Sequence, residues 1–388
     1  TLLRESVALR QVSDVPIGVF LSGGVDSSTV LAMMAQISAQ PVKTFSIGSP
    51  AADYDELKYA RMVAERFGTD HRELIVQPDA LEIVPTLVEG YDEPFSDASS
   101  VPTYYVSKLA REEVKVCLAG DGGDEIFAGY DWYSHWASTE WSFSVPWWIR
   151  KAFFSVPQKI WPKRWRGNTR LELFTAKNRV EHYAVTKARF SQSERNRLLT
   201  PELREQISNT NYSDGLIKYG HQADSRDYVE AMQYVDLMTY LPEDLLVKVD
   251  RASMMHGLEV RLPLLDHKLV EFAADIPTKL KLANGESKYI LKKFASQWVP
   301  PEAIYRKKMG FGIPIQHWFK DELFGFTREI LLDDRTRHRR FFEVDQIDKA
   351  LESYRSGEIH NSITYLQIWN LLVLELWCRT FLDSPKNS

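Results

Sequence analysis

The chain predicts an α/β fold in which a doubly wound parallel sheet carries an added, mostly helical region. Four short, apolar, β-branched runs fall in the first 120 or so residues, each separated by a helical pattern. Three of those runs stop at small turn-forming residues. Beyond residue 131 the pattern turns mostly helical. At 388 residues the chain exceeds what one compact core fills, so two or three domains are expected.

The first strand, residues 17–21, closes on Ser22-Gly23-Gly24, and a helix follows over 27–37. A second strand over 42–47 stops at Gly48. The helix over 53–67 then gathers Leu57, Tyr59, Ala60, Val63 and Ala64 on an apolar face. Residues 73–76 and 115–119 are further strands, the second running into Gly120-Asp121-Gly122-Gly123. In open parallel sheets ligands sit at the carboxyl ends of the strands, where these turns lie.

Composition narrows the classes. Hydrophobic residues at 44% and charged residues at 26% exclude wholesale disorder. A net charge of −5 leaves no global polycation to coat nucleic acid. Two cysteines, Cys117 and Cys378, exclude a disulfide scaffold and a thiolate zinc cluster, and a reducing, cytoplasmic setting is expected. The densest apolar run, 368–377, is broken by Asn370 and Glu375 and is too short to span a membrane. The chain begins at Thr1 with no signal pattern, as expected of a mature or trimmed cytoplasmic piece, with one region of a longer protein as an alternative.

Residues 131–225 read as a helical, aromatic and basic insertion. Seven of the eleven tryptophans lie between Trp132 and Trp165. Glu140 and Glu172 bracket an interval without acids that holds Arg150, Lys151, Lys159, Lys163, Arg164, Arg166 and Arg170. Internally packed aromatics under solvated charges are the plainer reading; a lid or docking surface for an anionic substrate, partner or membrane surface is the sharper one. Residues 180–300 look mostly helical, with a loop near 209–215, and 363–381 is a helical pattern.

The strongest chemical signal is Ser22-Gly23-Gly24-Val25-Asp26-Ser27-Ser28 between a strand and a helix. Its glycines let backbone N–H groups approach a phosphate, and the helix aims its free amides and positive dipole end at the same point. Ser22, Ser27 and Ser28 add hydroxyls, and Asp26 adds a carboxylate suited to magnesium. A bare turn with Ser27 as helix cap is the alternative. No lysine follows the glycines, which disfavours a kinase or GTPase.

SGGVDSS after an apolar strand resembles the PP-loop of the ATP pyrophosphatases, which cleave ATP between the α and β phosphates. Further segments narrow the likeness: DVPIGVFLSGGVDSS at 14–28, YDEPFSDASSVPTY at 91–104, GDGGDEIFAGY at 120–130, DRASMMHGLEVRLPLLD at 250–266 and KKMGFGIP at 307–314. Together they resemble the synthetase domain of glutamine-dependent asparagine synthetase over most of the chain. The resemblance implies a core at 1–130, the insertion at 131–225, and a helical part at 226–388 completing the site. It implies ATP and magnesium as cofactors, with a carboxylate, most simply L-aspartate, activated as an acyl-adenylate and then amidated by ammonia. Phe20 and Ile47 would flank adenine. Ser22 to Ser28 and Gly120 would bind the nucleotide, Asp26 and Asp124 would hold metal, and Lys288 would lie over the α-phosphate. Some family members have glutamate at the position of Asp121, where it serves the ammonia step; here the carboxylate is one methylene shorter, and Glu125 is the second candidate acid-base group.

The other acids have plainer readings beside the chemical one. Asp92, Glu93 and Asp97 suit either a substrate amine or their own loop backbone. Glu259, Arg261 and Asp266 suit structural pairing, and the cations of Arg306, Lys307 and Lys308 a solvated patch or a phosphate contact. The nine histidines show no metal-ligand spacing.

The family's amino-terminal glutaminase is expected to be missing here, supplied in cis by a longer protein of which this is a part, or replaced, in a stand-alone synthetase, by free ammonia or a donor in trans; a homodimer is compatible with the reading. Competing readings are a relative acting on a sugar acid, peptide or β-lactam precursor, a tRNA-modifying PP-loop enzyme, and a catalytically dead interaction protein. The acidic charge and missing cysteine pairs oppose a nucleic-acid partner. The intact loop with Asp124 and Lys288 opposes a dead protein.

Overall fold

In a computed structural model of the protein, the described residues are 1–388 without 50–55, 78, 161–173, 211–212, 224, 226, 307–314, 320–321, 358–362 and 384–388. The motif at 307–314, the start of the helix expected at 53–67, and the end of the tryptophan-rich stretch lie outside them.

Five strands form one parallel sheet: β1 (Ile17–Phe20), β2 (Lys43–Gly48), β3 (Asp70–Ile75), β4 (Val116–Leu118) and β5 (Glu259–Arg261), in the order β3-β2-β1-β4-β5. Gly18 stands opposite Lys43 on one side of β1 and opposite Cys117 on the other. The strand order reverses between β1 and β4. The chain leaving β1 leads toward one edge of the sheet and the chain leaving β4 toward the other, and the crevice at their carboxyl ends is the place where such sheets take ligands.

The first unit comprises Thr1–Pro78, Asp97–Ala137 and Ser225–Pro314. Its helices include α1 (Leu2–Arg10), α2 (Val25–Ala35) and α3 (Leu57–Phe67), while α4 (Ala80–Tyr91) and α5 (Ser100–Arg111) separate β3 from β4 in sequence. α2 is buried along its length, from Ser27 to Met34. Its apolar character on all sides follows from that position, since a core helix has no wet face. Val19, Leu21, Val30, Leu31 and Met33 join Leu118 and Leu264 in one core; each fully buried aliphatic of this kind contributes roughly 1.5–3 kcal/mol. α3 buries Leu57, Ala60, Val63 and Ala64 and ends at Gly68, which adopts the left-handed backbone (φ 59°) common at helix ends.

β3 begins three residues before the strand expected at 73–76, because its first half is polar and pairs beside β2 at the sheet edge. β5 went unanticipated within a stretch read as helical. It is three residues long, too short for alternation to register, and becomes a strand by pairing with β4.

The second unit comprises Asp79–Ser96, Ser138–Asp224 and Ile315–Ser388. The helix Tyr365–Trp377, within the expected 363–381 pattern, packs on α4 and on the helix Glu322–Leu332. Arg339 bridges Glu375 and Asp383 beneath it. In the tryptophan-rich stretch Trp136 is fully buried, whereas Trp141, Trp148 and Phe153 are exposed. No helix among the described residues is long and apolar enough to cross a membrane.

Candidate active site

The turn after β1 is folded by its own serines. The Ser22 hydroxyl lies 3.1 Å from that of Ser27 and accepts the Gly24 amide at 3.2 Å, while the Ser27 hydroxyl accepts the Ser22 amide at 3.3 Å. Gly24 itself occupies the cap position of α2, so Ser27 is not the helix cap. Gly23 has φ 70°, and a Cβ there would fall 2.4 Å from the Tyr59 carbonyl carbon. Only glycine fits both demands. The amides of the first turn of α2 have no carbonyl one turn back, leaving donors and a positive dipole end at the crevice.

The turn after β4 meets this one directly. A Cβ on Gly120 would lie 2.7 Å from the Ser27 amide nitrogen, and one on Gly123 would lie 2.3 Å from Asp26 Oδ1. Asp26 and Asp124, nearly one hundred positions apart, converge on the same ammonium: Lys288 Nζ pairs with Asp26 Oδ2 and, at 2.8 Å, with Asp124 Oδ1. Burial alone would lower the Lys288 pKa, but the Asp124 and Asp26 carboxylates outweigh it and hold the ammonium above its ordinary value. Lys288 has φ 54°, a left-handed conformation that costs a non-glycine residue on the order of 1 kcal/mol and that the two ion pairs hold in place.

A cavity of about 660 Å3 in the first unit joins these groups, a volume suited to a small-molecule ligand. Phe20 and Ile47 pack with Phe45 as an apolar wall at the strand ends. Farther along, Lys248 pairs with Asp97 at 3.5 Å. Burial pushes the Asp121 carboxyl up, against the opposing pull of Lys248 and Lys288. Glu125 is fully buried; its carboxyl accepts the Tyr130 hydroxyl, and its Oε2 has no hydrogen-bond partner among the described residues. Burial, reinforced by the Asp124 charge, raises the Glu125 carboxyl from 4.5 to about 7. Such a group can both give and take a proton near neutral pH.

Of the residues singled out in the sequence, Phe20, Ser22, Gly24, Asp26, Ser27, Ile47, Gly120, Asp121, Asp124, Glu125 and Lys288 all line this cavity. Gly23 and Ser28 are not among its lining residues; both are buried. Asp97 lines it too. Asp266 pairs with Arg10 at 3.0 Å, and Arg261 braces the carbonyls of Arg10 and Val12, so both serve structure. Sequence reasoning missed Glu56, Tyr130, Tyr240 and Lys248, which also line the cavity. Tyr130 stood inside the quoted GDGGDEIFAGY motif, but its spacing from Glu125 gave no sign of the hydrogen bond that joins them.

Comparison with known proteins adds a second line. The family model described as asparagine synthase matches residues 1–379. Asparagine synthetase [glutamine-hydrolyzing] 1 of Bacillus subtilis is 32% identical over 374 residues, covering 96% of this chain and 57% of the relative. Asparagine synthetase [glutamine-hydrolyzing] 3 of the same organism is 29% identical, over 79% of this chain and 47% of the relative. A Gibberella zeae protein named amidase chry2 is 24% identical, over 94% of this chain and 60% of its own length. The chain thus spans about half the length of these curated relatives.

Proposed function

Because the chain belongs to the asparagine synthase family, we propose that it activates a carboxylate with ATP and transfers ammonia to it, giving an amide, AMP and pyrophosphate. L-aspartate, yielding L-asparagine, is the acceptor that the synthetase-named relatives favour. The observation that carries this reading is the meeting of the two turns at the reversal of strand order, with Asp26, Asp124 and Lys288 in one cluster.

In this reading Phe20 and Ile47 hold adenine and the Gly120 main chain contacts the nucleotide. The amides opening α2 and the Ser22 and Ser27 hydroxyls hold the phosphates, while Ser28, expected among them, is fully buried outside the cavity lining. An acceptor carboxylate oxygen forms a bond to the α-phosphorus while the bond to the β-phosphoryl oxygen breaks, and pyrophosphate leaves with the electron pair. A carboxylate is ionised at neutral pH, so positioning and charge neutralisation are the demands. Lys288 supplies positive charge beside the transferring centre. Ammonia, delivered by a glutaminase domain in cis or in trans, then attacks the acyl carbon, and AMP departs with the bridging oxygen. The surplus proton passes to Glu125 or Asp121.

Asp26 and Asp124 fit a magnesium ion, because their oxygens face one cation and magnesium takes one or two carboxylates plus phosphate oxygens. No cluster of three or more metal-ligating side chains occurs among the described residues. Bound there, the ion would neutralise polyphosphate charge.

The test uses aspartate labelled with 18O in its side-chain carboxylate, with ATP, magnesium and ammonia. One labelled oxygen should appear in AMP for each amide formed. ADP as product, or unlabelled AMP, would overturn the reading. The amidase-named relative supports a second acceptor class; label transfer from another acid with none from aspartate would select it.

A further inference from the structure

Against the turn after β1 lies a second cationic group, which the nucleotide reading does not use. Arg306 stands 250 positions from Glu56 and pairs with it through Nη2 at 2.7 Å. Its guanidinium lies 5.0 Å from the centre of the Tyr59 ring, and its Nε approaches the Gly23 carbonyl at 3.4 Å. Three different contacts, to an acid, a ring and the loop backbone, thus fix the orientation of one fork. The side chain is only 7% exposed, yet Arg306 lines the cavity and its Nη1 has no hydrogen-bond partner among the described residues. A Cβ built on Gly24 would lie 3.5 Å from Arg306 Nη2, which sets the guanidinium directly against the start of α2.

A buried donor left unmade is costly, and planar guanidinium forks match phosphate oxygens. From this geometry we infer that Arg306, aimed by Glu56 and Tyr59, donates through Nη1 to the pyrophosphate half of the nucleotide and so favours ligands with β- and γ-phosphoryl groups over monophosphates. The inference rests on the nucleotide reading proposed above. Glu56 is a positioning residue in this arrangement: burial raises its carboxyl and Arg306 pulls it back down, so the acid holds the fork without presenting a bare negative charge to the phosphates. Arg306 acts on the leaving group and Lys288 near the transferring centre, two cations with separate tasks.

Calorimetric titration of the full chain with magnesium pyrophosphate and, separately, with AMP tests the assignment. Arg306→Gln should weaken pyrophosphate binding about tenfold or more, the worth of one charge-assisted hydrogen bond, and leave AMP affinity within about twofold. Glu56→Gln should weaken pyrophosphate less, because the charge remains and only its aim is loosened. Arg306→Lys should fail to restore wild-type affinity, since an ammonium lacks the fork. Unchanged pyrophosphate affinity in Arg306→Gln, or equal weakening of AMP and pyrophosphate, would overturn the inference while leaving the proposed function standing. A wild-type chain that binds neither ligand would remove the proposed function and this inference with it.

Discussion

Replacing Glu125 with glutamine tests the electrostatics of the site through stability. The carboxyl is fully buried, beside the Asp124 charge, and rises from 4.5 to about 7 on folding. Between those two values the folded chain keeps a proton that the unfolded chain has lost. Stability from this group is therefore complete below 4.5 and is lost as pH climbs through about 7. At roughly 1.4 kcal/mol for each pH unit of difference, the raised Glu125 carboxyl lowers stability by about 1 kcal/mol at pH 5, where only the unfolded chain has lost the proton, and by roughly 3 kcal/mol at pH 8, where both states have lost it. Glutamine keeps the oxygen that accepts the Tyr130 hydroxyl but cannot ionise. Urea unfolding across pH 5 to 8 should show Glu125→Gln gaining on the wild-type chain by about those amounts. A difference independent of pH, or one that favours the wild type increasingly as pH rises, would refute the reasoning. The same variant should still form the acyl-adenylate; a stall at the ammonia step would assign the surplus proton to Glu125, and normal amide release would assign it to Asp121.

Other substitutions bear on neighbouring parts. Lys288→Met leaves Asp26 and Asp124 facing each other and should cost about 2–4 kcal/mol, discounted because both acids are partly exposed; adding Asp124→Asn should recover part of that loss, as read by thermal unfolding. Gly129→Ala would put a Cβ 1.9 Å from Lys288 Cε and 2.0 Å from Asp124 Oδ1, so turnover should fall about 100-fold or more in a chain whose circular dichroism is unchanged. Asp26→Ala should abolish exchange between ATP and pyrophosphate while the chain stays folded; near-normal exchange would remove Asp26 from the mechanism.

Much of the sheet was legible because β1, β2 and β4 are apolar runs closed by glycine or serine. The two turns were legible for the same reason: runs such as Ser22-Gly23-Gly24 and Gly120-Asp121-Gly122-Gly123 have few other uses. What escaped is long-range. Arg306 meets Glu56 across 250 positions, and Lys248 meets Asp97 by folding alone, so residue type gave no sign of either pairing. Lys288 entered only through resemblance, since its spacing to Asp26 and Asp124 means nothing before the chain is folded. The tryptophans divide for a similar reason: Trp136 finds Tyr133 and Tyr228 around it, while Trp148 stays exposed.

The most direct measurement is a crystal structure of the chain with magnesium and α,β-methylene ATP, which keeps the triphosphate intact. The β- and γ-phosphoryl oxygens should lie within hydrogen-bond reach of the amides opening α2, with adenine against Phe20 and Ile47. A triphosphate bound elsewhere, with the turn after β1 making no contact to it, would contradict the account.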